Sequence, residues 1–191
     1  LTGLSAGNFQ ITKINPTVTL SASPNSVPYN GNPQAANVVA APGGTPGTVS
    51  NVRYTGSPVS PTNAGSYTLT ADFTPTDTTN YNALTGLSAG NFQITKINPT
   101  VTLSASPNSV PYNGNPQAAN VVAAPGGTAG TVSNVLYTGS ATTPTNANTY
   151  TLTADFTPTD TTNYNTLTGL SAGNFQITKI NPTVTLSASP N

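Results

Sequence analysis

Ser66-Tyr67-Thr68-Leu69-Thr70-Ala71-Asp72-Phe73 alternates polar and apolar side chains without a break. Successive side chains of a β-strand point to opposite faces, so this octet predicts a strand with Tyr67, Leu69, Ala71 and Phe73 inward and Asp72 in water. The same period of two runs through Thr17-Val18-Thr19-Leu20-Ser21-Ala22, Val52-Arg53-Tyr54-Thr55 and Asn91-Phe92-Gln93-Ile94-Thr95. Val18, Leu20, Ala22, Val52, Tyr54, Phe92 and Ile94 are therefore expected on buried faces, with Arg53 turned outward.

Turn signals separate these runs. Tyr29-Asn30-Gly31-Asn32 carries the Asn-Gly pair of a type I′ hairpin, and Pro42-Gly43-Gly44 breaks Val38-Val39-Ala40-Ala41 from the next strand. No 12-residue stretch combines a 3.6 period with freedom from Pro, Gly and β-formers, so a helix is not expected. Five to seven strands joined by turns predict an all-β fold, a β-sandwich.

The pattern recurs. The string beginning Leu1-Thr2-Gly3-Leu4-Ser5-Ala6-Gly7-Asn8-Phe9 returns at Leu84 and at Leu167, a period of 84 − 1 = 83 residues. Whole units are assigned to residues 15–97 and 98–180, flanked by residues 1–14 as the last strand of a preceding repeat and 181–191 as the first strand of a following one. The two units differ only at Pro46/Ala129, Arg53/Leu136, Pro58/Ala141, Val59/Thr142, Ser60/Thr143, Gly65/Asn148, Ser66/Thr149 and Ala83/Thr166. Exchange of Gly65 for Asn148 predicts a left-handed backbone there, which both residues tolerate. Phe92 to Ile97 runs through Asn98-Pro99 into Thr100 to Ala105 with little slack, because Pro99 fixes its own φ and biases Asn98 towards extension. The expected array is an end-to-end rod.

Only 4% of the 191 residues are charged, with four Lys or Arg and four Asp or Glu, and His, Cys, Met and Trp are absent. An ordinary domain is roughly a quarter charged. No basic cluster offers a footprint for nucleic acid or an anionic membrane, and no apolar run reaches the roughly 20 residues of a spanning helix. Without cysteine, each unit relies on an apolar core alone. Low charge also leaves sheet edges without Lys or Glu guards. The expected partners are neighbouring repeats of one continuous covalent array, and any lateral or end-to-end self-association beyond it is expected to use sheet edges or module ends, strand donation between short subunits being the alternative.

Asn63-Ala64-Gly65-Ser66-Tyr67-Thr68-Leu69 resembles the Asp-x-Gly-x-Tyr-x-Cys stretch of immunoglobulin strand F, with Asn63 in the Asp place and Leu69 in the Cys place. The resemblance implies a tyrosine corner at Tyr67. The order Tyr-Asn-Gly, Pro-Thr-Asn-Ala-Gly-Ser-Tyr-Thr-Leu-Thr-Ala, Asn-Tyr-Asn and Phe-Gln-Ile-Thr-Lys-Ile resembles the bacterial Ig-like surface repeats of MBG or YDG type. That resemblance covers the whole unit, implies surface-protein architecture and carries over no catalytic residue.

Chemistry-bearing residues are few. With no His, Cys or Glu, and only Asp72 and Asp77 as carboxylates in the first unit, nothing assembles a nucleophile, base and orienting group, so no enzyme and no cofactor are expected. Asp77 with Asn80, and Asp160 with Asn163, are candidate oxygen ligands for calcium but lack the spacing of known loops; capping of a turn is the competing reading. Lys96 and Lys179 fall in phase with inward Ile94 and Ile177, which makes them candidates for an isopeptide cross-link or for a snorkelling stem. Tyr29 and Tyr81, with Tyr112 and Tyr164, lie in turn contexts and are the candidate contacts for a glycan or host protein. The expected function is an extracellular structural repeat of a bacterial cell-surface stalk, sheath or filament, the alternative an adhesin module.

Overall fold

A computed structural model describes residues 7–188. The chain divides into two compact units between Lys96 and Ile97. In the first, β1 (Leu20–Ser23), β2 (Ser26–Pro28), β3 (Asn37–Ala40), β4 (Gly47–Tyr54), β5 (Gly65–Pro75) and β6 (Leu84–Thr95) follow in order. In the second, β7 (Leu103–Ala105), β8 (Ser109–Pro111), β9 (Val121–Ala123), β10 (Gly130–Tyr137), β11 (Asn148–Pro158) and β12 (Leu167–Thr178) repeat them. No helix occurs among the described residues.

Each unit is a two-sheet sandwich. β1 pairs antiparallel with β3, and opposite them lies a four-stranded sheet in the order β2-β6-β5-β4. β2 joins β6 in parallel, with Val27 opposite Ile94. Leu69, Phe73, Phe92 and Ile94 from the large sheet are at most 1% exposed and pack with Leu20 and Val38 of the small one. Removing apolar area from water is the main force holding the two layers together. Tyr54 locks them: its ring meets Phe92 edge-on at 5.9 Å, and its hydroxyl oxygen accepts the buried Ala36 amide at 2.8 Å. Tyr137 does the same for Phe175 and Ala119. The tyrosine corner is present, with Tyr67 donating to the Asn63 carbonyl at 2.7 Å and Tyr150 to that of Asn146 at 2.8 Å.

Asn30-Gly31 does not close a hairpin. β2 and β3 lie in different sheets, only Gly31 of the pair has positive φ, and the Asn30 side chain instead caps the turn by accepting the Asn32 amide at 2.9 Å. The two-residue hairpin falls at Thr55-Gly56, with φ of 47° and 83° as a type I′ turn requires, between Tyr54 and Ser57, which exchange both backbone hydrogen bonds. Position 65 is also not left-handed: neither Gly65 nor Asn148 has positive φ, and a Cβ at Gly65 meets only ordinary contacts. That open geometry explains why the two copies exchange freely there.

β6 extends back to Leu84, beyond the alternating run that announces it. Its inward residues Leu84, Leu87, Ala89, Phe92 and Ile94 are spaced three, two, three, two, because the ladder to β5 takes in an extra residue twice. Gly86 and Gly90 occupy these bulges with φ of 65° and 81°. β4 bulges likewise between Ser50 and Arg53, where Asn51 has φ of 52°. The edges of the large sheet are guarded by backbone geometry in place of charge: β4 by this bulge and by Ser57 folded onto its end, β2 by its three-residue length and Pro28.

Candidate functional site

The loop between β5 and β6 gathers most of the candidate residues. Asp77 uses both carboxylate oxygens within its own turn: Oδ1 accepts the Thr79 and Asn80 amides, each at 3.1 Å, and Oδ2 accepts the Asn80 side-chain amide at 2.7 Å. Asp160 repeats this with Thr162 and Asn163. The bond from the Asn80 side chain, those from the Asn80 and Thr79 amides and the nearby Lys13 charge hold the Asp77 carboxyl below its usual range. These pairs form self-capped turns, and no cluster of three acidic, His or Cys side chains stands among the described residues to complete an oxygen shell around them.

The same loop grips the chain that precedes it. Ile14 donates to the Asn80 carbonyl at 3.0 Å and accepts from the Asn82 amide at 2.9 Å, a parallel bridge opposite Tyr81, and the Asn82 side chain donates to that of Asn15 at 2.9 Å. In the second unit Ile97 and Asn98 are held by Asn163, Tyr164 and Asn165 in the same way. Tyr81 and Tyr164 are both half-buried. Tyr81 lines an open cleft of about 560 Å³ with Thr17, Gly43, Gly44, Thr76 and Asp77.

Tyr29 is half-buried, and its amide donates to the Thr95 carbonyl at 2.9 Å. Its counterpart Tyr112 is 37% exposed and lines a second cleft of about 440 Å³ with Asn146, Ala147, Lys179, Ile180 and Pro182. Lys96 and Lys179 are exposed, contrary to the inward phase expected from Ile94 and Ile177, because regular strand geometry stops one residue earlier, at Thr95 and Thr178. The structure thus places Tyr81 beside Asp77 and Tyr112 beside Lys179.

One polar centre was not legible from alternation. Asp72 is half-buried and bridges three strands: its Oδ2 accepts the Asn51 side-chain amide at 2.7 Å and its Oδ1 the Gly86 amide at 2.9 Å. A single carboxylate on β5 thereby ties the bulge of β4 to that of β6. Asp155 repeats this with Asn134 at 3.0 Å and Gly169 at 2.8 Å. Both carboxyls lie below their usual range, Asp72 chiefly through the Asn51 bond and Asp155 chiefly through the Gly169 amide. The signal in the sequence is Gly86 and Asn51, residues suited to bulges on the strands either side of an outward Asp.

No curated protein and no solved structure matches the chain. Residues 16–98 match the MBG domain family, and so do residues 99–181. With two sandwich units of one topology, each built on the same tyrosine corner and inter-sheet tyrosine, the chain belongs to the MBG domain family as two tandem copies.

Proposed function

We propose that these repeats are non-catalytic spacers of an extracellular bacterial surface stalk, sheath or filament, whose task is length and stiffness. The observation that carries the reading is the brevity of the joint. The Thr95 carbonyl is bonded to Tyr29 in the first unit, Ile97 is already bonded through its amide and carbonyl in the second, and only Lys96 lies between them. One residue gives two soft dihedrals, far less freedom than a coil linker has. Near-identical sequence supports a part repeated for reach, and the missing Cys and Met suit long exposure to oxidants. Small-angle scattering of the 191-residue chain tests the proposal. Inserting a Gly-Ser linker after Lys96 should blur the wild-type profile; a wild-type profile as blurred as the insertion variant's would refute stiffness.

The cleft beside Tyr81 favours a second reading, an adhesin module for glycan or host protein, because an aromatic face near hydroxyls and a carboxylate suits sugar stacking. Glycan-array binding by the intact chain, lost in Tyr81→Ala, would favour that reading over the spacer.

A further inference from the structure

The sequence Asn-Gly occurs once in each repeat, at Asn30-Gly31 and Asn113-Gly114. We propose that Asn30 and Asn113 are sites of spontaneous deamidation, at which an otherwise neutral array acquires negative charge with age. In the first step the backbone nitrogen of Gly31 attacks Cγ of Asn30. A five-membered succinimide forms as the N–Cγ bond is made and the side-chain nitrogen leaves as ammonia, carrying the proton lost from the Gly31 amide. Water then opens the ring at the side-chain carbonyl to give Asp, or at the backbone carbonyl to give isoaspartate. The balance is amide plus water to carboxylic acid plus ammonia, with no oxidant or enzyme required.

The geometry favours these two asparagines over Asn80, Asn163 and Asn91. Attack needs a following amide that is not tied up and a following residue without a side chain in the way. At Asn80 the next amide, that of Tyr81, donates to the Asp77 carbonyl at 3.2 Å, and at Asn163 the amide of Tyr164 donates to Asp160. Asn91 precedes Phe92, fully buried in the paired strands β5 and β6. Gly31 and Gly114, by contrast, are exposed, have φ of 81°, and face open space where a Cβ would project. The electrophile is primed as well: the Asn32 amide donates to Asn30 Oδ1 at 2.9 Å and the Asn115 amide to Asn113 Oδ1 at 2.9 Å, drawing electrons from the carbonyl under attack.

Asp at either position keeps an oxygen for the same turn bond, so the turn tolerates this product. The charge does not stay the same. Four positive and four negative groups become four against 4 + 2 = 6, a net charge of −2 for this chain. Each further repeat adds one more negative charge, which makes initially neutral modules repel one another.

The test is incubation of the folded 191-residue chain in neutral buffer, followed by isoelectric focusing and peptide mapping. Two successive acidic shifts are expected, with the amide-to-acid mass gain at Asn30 and Asn113 before any other asparagine. Asn30→Gln with Asn113→Gln should abolish both shifts, because attack on Gln needs a less favourable six-membered ring. Asn30→Asp with Asn113→Asp should run with the final product. If both residues stay intact in the folded chain while reacting in guanidinium, or if another asparagine reacts first, the proposal is overturned.

Discussion

Thr55 and Thr138 hold φ of 47° and 48°, the left-handed region in which a β-branched side chain crowds its own backbone. The turn survives because Tyr54 and Ser57 close it with two hydrogen bonds, of 2.7 and 2.9 Å. Asn tolerates that region, so Thr55→Asn should raise stability by about 1 kcal/mol, read as a higher denaturant midpoint at unchanged slope. Asp72, Asp77 and Asp155 present the opposite case, acceptors whose bonds favour the ionised form. Their folded pKa values lie below the ordinary 3.8, so their contribution is fully present above that pH and is lost as pH falls through the folded values. Melting temperature should drop in that acid range, and Asp72→Asn with Asp155→Asn should melt with a flatter pH profile. An unchanged profile would show that these carboxylates do not stabilise the fold.

At the scale of the element, the strands legible in the sequence are those whose partners keep step with them. β5 alternates strictly from Tyr67 to Phe73 and lies where its pattern places it. The first half of β6 does not alternate, because each bulge adds a residue and moves the next apolar position from two to three places on. Period-two reading therefore sees Asn91 to Thr95 and misses Leu84 to Gly90. The candidate residues divide in the same way. Local turns such as that of Asp77 were readable as caps, whereas the Asp72 bridge joins Asn51 and Gly86, 21 residues before it and 14 after, and only tertiary pairing brings them together. The Tyr54 hydroxyl is equally non-local, 18 residues from the Ala36 amide it accepts. Tyr54→Phe keeps the ring on Phe92 but leaves that buried amide without a partner, and should cost about 1–3 kcal/mol in chemical denaturation.

For the whole molecule, the two units have separate cores, one centred on Phe73 and Phe92 and the other on Phe156 and Phe175. Tyr54→Phe perturbs only the first. Calorimetry of that variant should resolve two transitions, with the altered unit melting lower by about 4–8 °C for each kcal/mol lost. A single transition displaced as a whole would mean that the units unfold together.

The parallel pairing of β2 with β6 has a mechanical consequence. β6 closes its unit and β2 runs beside it in the same direction, so a load that reaches β2 from the N-terminal side, past β1, and leaves through β6 pulls these neighbouring strands past each other along their length. Parallel pairing puts that load in shear. The bonds from Gln93 to Asn25 and from Tyr29 to Thr95, both 2.9 Å, must then yield together, and cannot be unzipped one after another. That share of the tension is thus borne by β2, at the margin of the large sheet.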